Sequence, residues 1–485
     1  MSRSTSILSL ALLAIAAAPA ADDIATLEQR IQVLEKSQKD LLDRIRSLLD
    51  SQVVQEDVQG VTNSLESFKY QYQRDRETKS PVSVRGITIT GGLAARYAAT
   101  NRSKTSAGAD GKGGNANGTA SANPAIVNGR NNTFDVAGAF VNFSGSLYRD
   151  YAEGRNLTFN LRFDGTPQTG AAIGNSFANL TNANVVYSPL PTTSQDIDRL
   201  TITLGQQTLP FGLEANTTEE LRPVINSAQF VGATGVGRRE IGLVFRGDFG
   251  ITYDYGYNYR SSLISYNFGL VNGNGPNRAD DNDYKDIIAR VDVKLPTEYN
   301  SWLRELRLGV SYYHGRQVIA GATNAAGALL PGASTYYEGA RKRYGLDLYY
   351  NHFPFGFTYE FVRSVDDVAA GSSTTERRGN SHTATLFYSF GSQFLASQRN
   401  VGAFDDYWPK TWQPFVRFDR WDPDIKISGN HTDIYTVGLN AFFAETTKAQ
   451  LNLTHKREKL PSGAARPNTA GFITNEIIAQ LQYGF

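Results

Sequence analysis

Cysteine is absent from this 485-residue sequence, methionine occurs once and histidine only five times. The missing cysteine excludes a disulfide scaffold. His314, His352, His382, His431 and His455 are scattered without ligand spacing, which leaves no zinc-type site to expect. None of them lies in a recognised serine or aspartate motif, so no nucleophile and base are in view; no catalytic residue, metal or cofactor is expected, and the chain reads as a non-enzyme. A formal net charge of +1 removes the usual reason to expect nucleic acid. Beyond the N-terminal stretch no apolar run reaches the length of about twenty residues that a transmembrane helix needs. The mean hydropathy of −0.36 is equally unlike that of a helical membrane protein. Strands that alternate apolar with polar residues, however, cross a bilayer without raising that average.

What the chain has in quantity is glycine (45), phenylalanine (26) and tyrosine (25), a composition for many aromatic strands joined by glycine turns. The opening MSRSTSILSLALLAIAAAPA sets Arg3 before an apolar core from Ile7 to Ala18 and ends on the small-residue signal Ala18-Pro19-Ala20, so residues 1–20 read as a secretory signal peptide. In residues 21–66, Ile24, Leu27, Ile31, Leu34, Gln38, Leu41, Ile45 and Leu48 follow steps of three and four, a heptad seam with one polar position. The stripe continues in shifted register through Val54, Val58, Val61 and Leu65. This predicts a coiled coil that self-associates; a lone amphipathic helix folded onto the rest is the alternative. Residues 67–85 are polar, contain Pro81, and read as a linker.

From residue 86 to 485 the helical period disappears and alternation takes over. ITITGGLAARY sets Ile87, Ile89, Leu93 and Tyr97 against Thr88, Thr90 and Arg96; LTFNLRFD, IIARVDVKL, RYGLDLYY, GLNAFF and AQLNLTH repeat the scheme. About sixteen such segments begin near Gly86, Thr133, Leu157, Asn182, Leu200, Glu240, Ser262, Tyr284, Arg307, Arg343, Phe357, His382, Trp412, Tyr435, Ala449 and Glu476. Connections after odd segments are mostly long and rich in Gly, Asn, Ser and Asp. Several after even segments are short, such as Pro354 to Gly356 and Glu445 to Lys448, whereas those after the sixth and the twelfth are expected to be long exceptions. An even count with long loops on one rim and short turns on the other predicts an all-β transmembrane barrel of about sixteen antiparallel strands. Hydrocarbon offers no partner to an open sheet edge, so the last strand must pair with the first. The terminal NEIIAQLQYGF, with Ile477, Ala479, Leu481, Tyr483 and Phe485 on one face, supplies that closing strand.

The terminal strand ending in Phe485 resembles the assembly signal read by the outer-membrane insertion machinery of Gram-negative bacteria, carried here by Leu481, Tyr483 and Phe485. Internal stretches are more specific. LGQQTLPFGLE (Leu204 to Glu214), GRREIGLVFRG (Gly237 to Gly247), NFGLVNGNG (Asn267 to Gly275), DNDYKDIIARV (Asp281 to Val291), WQPFVRF (Trp412 to Phe418) and YTVGLNAFF (Tyr435 to Phe443) resemble the phosphate-selective porin O and P family in matching order. The resemblance implies a homotrimeric outer-membrane porin whose loops fold inward at a constriction. The connection after the fifth segment is long enough to be such a loop and brings Glu214, Glu219, Glu220, Arg222, Arg238 and Arg239; an ordinary solvated loop is the alternative. The phosphate-selective members carry basic clusters, but this chain has Thr208 and Leu209 before Pro210 and a second strand, AGAFVNFSG, without a base.

Parity assigns to the lumen the bases Arg96, Arg162, Arg246, Arg290, Lys294, Arg307, Arg343 and Arg417. The acids Asp164, Glu240, Asp286, Asp292, Asp347, Glu360 and Asp419 share that face and nearly cancel them. The expectation is a water-filled channel for passive diffusion of small hydrophilic solutes with at most mild anion preference, in which Arg290→Ala shifts selectivity towards cations. A phosphate- or oxyanion-selective porin is one alternative. Another is a tether from the outer membrane to peptidoglycan, with the coil in the periplasm and the barrel as its anchor.

Overall fold

The computed structural model describes residues 32, 33, 35–43, 47, 65, 83–84, 87–100, 131–146, 157–165, 179–190, 200–219, 221–254, 259–297, 301–304, 306–324, 327–391, 409, 411–443, 447–459 and 473–484. The chain divides into two compact units, residues 1–65 and 66–485. In the first, residues 35–43 are α-helical and include Gln38 and Leu41; the other seam positions, the signal peptide and nearly all of the linker lie outside the described residues.

The second unit is one antiparallel sheet of eighteen strands, two of them pieces of two residues: Ser83–Val84 beside the first long strand and Phe390–Gly391 continuing the twelfth. The remaining sixteen form the wall: β1 (Ile87–Thr100), β2 (Asn131–Ser146), β3 (Leu157–Gly165), β4 (Asn179–Leu190), β5 (Leu200–Thr208), β6 (Arg239–Asp254), β7 (Tyr259–Val271), β8 (Asp286–Lys294), β9 (Arg307–Ala320), β10 (Tyr336–His352), β11 (Phe355–Ala370), β12 (Ser373–Tyr388), β13 (Thr411–Asp422), β14 (Thr432–Phe442), β15 (Lys448–Glu458) and β16 (Ile473–Gly484). Each pairs with the next, and β16 pairs with β1 from Glu476↔Thr100 to Gly484↔Gly92. Closure leaves no ladder edge, as a lipid-embedded sheet requires.

The two faces of the wall differ as the alternation predicts. Leu93, Val141, Val185, Leu204, Phe268, Val291, Val310, Leu346, Leu386, Val416, Val437, Leu453 and Leu481 are all exposed and run right round the outside. A soluble protein does not expose a continuous apolar belt of this extent, whereas a membrane-spanning barrel must. The opposite face buries Arg290, Asp292, Arg343, Asp347, Arg417 and Asp419. At the rim shared by the chain ends, Phe355 packs on Tyr388 with ring centroids 5.0 Å apart, and Tyr388 neighbours Phe390 at 6.3 Å.

Two expectations need correction. The connection between β6 and β7 covers only residues 255–258, because both strands continue past the point where alternation fails. Gly250 lies there in the left-handed region (φ +68°) and drops out of the ladder between the pairs Phe249↔Ile264 and Ile251↔Ser262. The second concerns starting points. β10 begins at Tyr336 rather than near Arg343, and β12 at Ser373 rather than near His382, so the β11–β12 hairpin closes over Gly371 and Ser372. Those strand tips extend in polar sequence such as STTERRGN, where no greasy face marks the pleat.

Candidate functional site

Residues 209–238 connect β5 to β6 and carry the largest fully buried side chains of the barrel, Phe211 and Phe230. Leu209, Phe211, Ala228, Phe230 and Val236 cluster with Val271 of β7, Ile288 of β8, Tyr313 of β9 and Val362 of β11. Val224 packs with Phe387 of β12 and Phe415 of β13. A segment that touches the inner face of strands from β7 to β13 lies inside the barrel. Locally, Gly212 (φ +64°) turns the chain after Pro210-Phe211, a 3-10 turn covers Glu214–Asn216, and helix α1 (Gln229–Thr234) ends on the left-handed Gly235. Each phenylalanine taken out of water contributes about 1.5–3 kcal/mol. Gly345 of β10 makes room, since a Cβ there would sit 3.1 Å from the Phe211 ring.

Polar anchors then fix the segment to strand after strand. The Gly212 N–H donates to Ser311 Oγ at 3.0 Å, and the N–H groups of Leu213 and Glu214 donate to the Glu360 carboxylate at 3.0 and 2.8 Å. Gln229 N–H donates to Asp419 Oδ2 at 2.9 Å. Arg343 donates through Nη2 to the carbonyl of Thr234 at 3.1 Å and pairs with Asp366 at 2.6 Å. From the other side, Lys448 Nζ donates to the Arg222 carbonyl at 2.6 Å, and Asn440 Nδ2 to that of Pro223 at 2.9 Å. Sequence reading had no signal for Ser311, Asn440 or Lys448 beyond their inward parity, because their partners are backbone groups of a distant loop.

Glu214 is the hub of this arrangement. Its Oε1 accepts from Arg417 Nη1 at 3.1 Å and from the Ala228 N–H at 3.1 Å, with Arg222 Nη1 at 3.8 Å. Burial pushes its carboxyl up, but the Arg417 and Arg222 guanidiniums outweigh it and hold the acid below its ordinary value. Glu219 pairs with Arg222 at 3.5 Å, Arg239 Nε donates to Asn182 Oδ1 at 3.4 Å, Arg238 is exposed, and Glu220 lies outside the described residues.

Inward bases on the wall sit beside acids two positions along the same strand. Arg162 meets Asp164 at 2.6 Å, Arg290 meets Asp292 at 2.5 Å, and Arg417 lies 3.9 Å from Asp419. Arg290 also reaches Asp347 at 2.5 Å and Ser311 Oγ at 2.9 Å. Arg246 donates to Thr203 Oγ1 at 2.9 Å, Arg307 lies 4.9 Å from the Tyr349 ring centre, Lys294 is the register partner of Arg307, and Arg96 that of Gln480. Leu481 and Tyr483 project outwards opposite Ala95 and Leu93; Phe485 lies outside the described residues. A second inward group was not anticipated as a unit: Asp286 accepts from Tyr313, from Arg341 at 2.8 Å and from the Arg316 N–H at 3.0 Å.

Because the segment is pinned to β7 through β15, space remains between it and the β1–β5 side. A cavity of about 290 Å3 lies there, bounded by Arg162, Asp164, Glu214, Glu219, Arg222 and Arg239. At ~30 Å3 per water it holds on the order of ten waters. The facing wall is trimmed to Gly92, Ala94 and Gly138, and a Cβ on Gly138 would stand 3.8 Å from Glu219 Oε2. Arg162 sits over Phe140, its guanidinium carbon 3.7 Å from the ring centre.

No protein-family model matches the chain, and no curated protein does. Among solved structures, it is similar to the outer-membrane expressed OmpT of Vibrio cholerae at 9% identity and TM-score 0.45, over 83% of this chain and 99% of that one. It is similar to the Salmonella typhi OmpF complex with daunomycin at 9% identity and TM-score 0.45, over 82% and 97%. Pseudomonas putida OprB follows at 11% identity and TM-score 0.46, over 82% and 94%. At these identities the likeness is one of fold alone.

Proposed function

We propose that this chain is an outer-membrane porin, a water-filled channel through which small hydrophilic solutes and ions diffuse passively. The observation that carries the reading is the cavity with charged side chains on its boundary, beside an inward segment in a closed, lipid-faced barrel. Its boundary carries three bases, Arg162, Arg222 and Arg239, and three acids, Asp164, Glu214 and Glu219. Balanced rows orient water across the lumen and admit solutes of either charge, which favours a general channel with at most mild anion preference over a phosphate-selective one. Residues 209–238 act as the constriction.

A homotrimer is part of the proposal. It is supported by an apolar hollow of about 1150 Å3 on the outer wall, where Ala95, Ala441, Ala449 and Ala479 are flanked by Tyr97 and Trp412. Residues 21–66 are proposed as a periplasmic coiled coil that adds to the trimer and can reach peptidoglycan, and the terminal strand as the signal for the insertion machinery. Single-channel recording in planar bilayers, with reversal potentials in a salt gradient, tests the function. Open-channel current with a cation-to-anion permeability ratio near unity is expected; phosphate binding at micromolar concentration that blocks chloride current would favour the oxyanion-selective alternative. Light scattering of the detergent-extracted protein tests the trimer, which a monomer mass refutes.

A further inference from the structure

Space also remains where the inward segment passes β13–β16. A cavity of about 260 Å3 lies there, between Val224, Asn226 and Ser227 of the segment and the inner face of those four strands. At ~30 Å3 per water it holds on the order of nine waters. The register sets its wall in two rows. Arg417, Thr436, Thr454 and Glu476 stand opposite one another in turn across the four strands, and Asp419, Ile434, Lys456 and Thr474 do the same two residues along. Each row carries one base and one acid, and the signs are reversed between them.

At one end the charges are committed to the segment. Arg417 Nη1 donates to Glu214 Oε1 and to the Asn226 carbonyl, both at 3.1 Å, and Asp419 accepts from the Gln229 N–H at 2.9 Å and from the Thr383 hydroxyl at 3.2 Å. At the other end Lys456 and Glu476 are half-buried diagonal neighbours. Their backbones lie roughly 7–8 Å apart. Glu458, 2.5 Å from Lys456 Nζ, occupies one of the three donors of that ammonium. Thr454 stands opposite Glu476 and Thr474 opposite Lys456, so a hydroxyl accompanies each charge.

We propose that this cavity is a subsite for small neutral α-amino acids, in which Glu476 and Thr454 accept from the ammonium while Lys456 and Thr474 donate to the carboxylate. The proposal rests on the porin reading, which makes the cavity a pausing place for a solute on its way through. An ammonium and a carboxylate on one α-carbon, each with a charge-assisted hydrogen bond, span about 8 Å. Two flexible side chains rooted at neighbouring points of the wall close on such a span. Two bases and two acids leave the boundary without net charge, so a bare anion or cation meets an opposing sign wherever it finds a partner. A zwitterion satisfies both signs at once. Val224 and Ile434 give a short side chain an apolar surface.

The test is saturation-transfer NMR of the purified full-length protein in deuterated detergent, titrated separately with L-alanine, propionate, ethylamine and glycerol. Wild type is expected to bind alanine at least about tenfold more tightly than any of the other three, each of which lacks one charge or both. E476Q is expected to bring alanine down to the level of propionate, and K456Q to that of ethylamine, with heat-modifiability showing that each barrel has formed. If one of these fails to insert, the other carries the comparison, and T454V is expected to weaken alanine about threefold. Wild type that binds no alanine, or binds propionate, ethylamine or glycerol as well, overturns the proposal whatever the variants do. Unchanged alanine affinity in an inserted K456Q or E476Q overturns it too, as does an affinity lost in R162A and kept in K456Q, which would place binding in the other cavity. Absence of any channel current in wild type with the alanine preference intact would instead remove the porin reading.

Discussion

Glu214 and Arg417 are separated by 203 residues in the chain, yet Arg417 Nη1 donates to Glu214 Oε1 at 3.1 Å inside the barrel. This pair joins the inward segment to β13, and Glu214 has Arg222 as its second base. Glu214→Gln removes the carboxylate that Arg417 and Arg222 share and leaves them only Asp419 at 3.9 Å and the exposed Glu219 at 3.5 Å; breaking a buried pair costs about 3–5 kcal/mol, an upper bound where second partners remain. The expected outcome in single-channel records is greater open-channel noise together with a reversal potential moved towards anions.

The same pair sets a pH dependence. The Glu214 carboxyl titrates below its ordinary value of 4.5, so the anchor's contribution is complete above that value and is lost as pH falls through the lowered one. Records taken between about pH 5 and 8 should therefore share one noise level at this anchor, with added noise appearing only in stronger acid. Glu214→Gln should show the acid phenotype at neutral pH; a variant as quiet as wild type at neutral pH would remove Glu214 as the cause.

Arg162 borders the cavity, over the Phe140 ring and paired with Asp164, whereas Arg290 lies buried between Asp292 and Asp347. Arg162→Ala removes a base from the boundary and is expected to raise the cation-to-anion permeability ratio with little effect on thermal stability. Arg290→Ala also favours cations, but it strands two buried carboxylates and is expected to cost about 3–5 kcal/mol as well. Heat-modifiability on gels, read beside reversal potentials, separates the two.

Phe211 fills the space that Gly345 leaves. Phe211→Ala creates a cavity costing about 3–5 kcal/mol and loosens residues 209–238 without touching any charge. Conductance should rise and the segment should become open to added protease, with ion preference near that of wild type.

Deleting Phe485 removes the last aromatic of the strand that pairs with β1. The yield of heat-modifiable barrel in the outer membrane is expected to fall while export continues, as measured by fractionation and blotting.

The fold was legible because lipid imposes a two-residue period on every strand. Leu346 out and Asp347 in could be assigned from RYGLDLYY alone. Legibility failed where that period carries no contrast: Gly250 breaks it by backbone conformation, and STTERRGN is polar on both faces. For the site, parity brought Arg162, Arg290 and Arg417 to the inner face with their acids. It could not say that Arg290 lies under the inward segment and Arg162 beside the cavity, since that depends on where Phe211 and Phe230 dock. Lys448 was invisible as an anchor because a backbone carbonyl, that of Arg222, leaves no mark in the sequence.

The inward segment leaves the ribosome before nearly every group that holds it: Ser311, Glu360, Arg417, Asn440 and Lys448 all lie downstream. A half-made wall therefore carries a greasy, donor-rich strap with nothing to receive it. Seating the strap is an event of the finished chain, late in time by construction, and the inside of the barrel takes its final shape only when its last third has arrived.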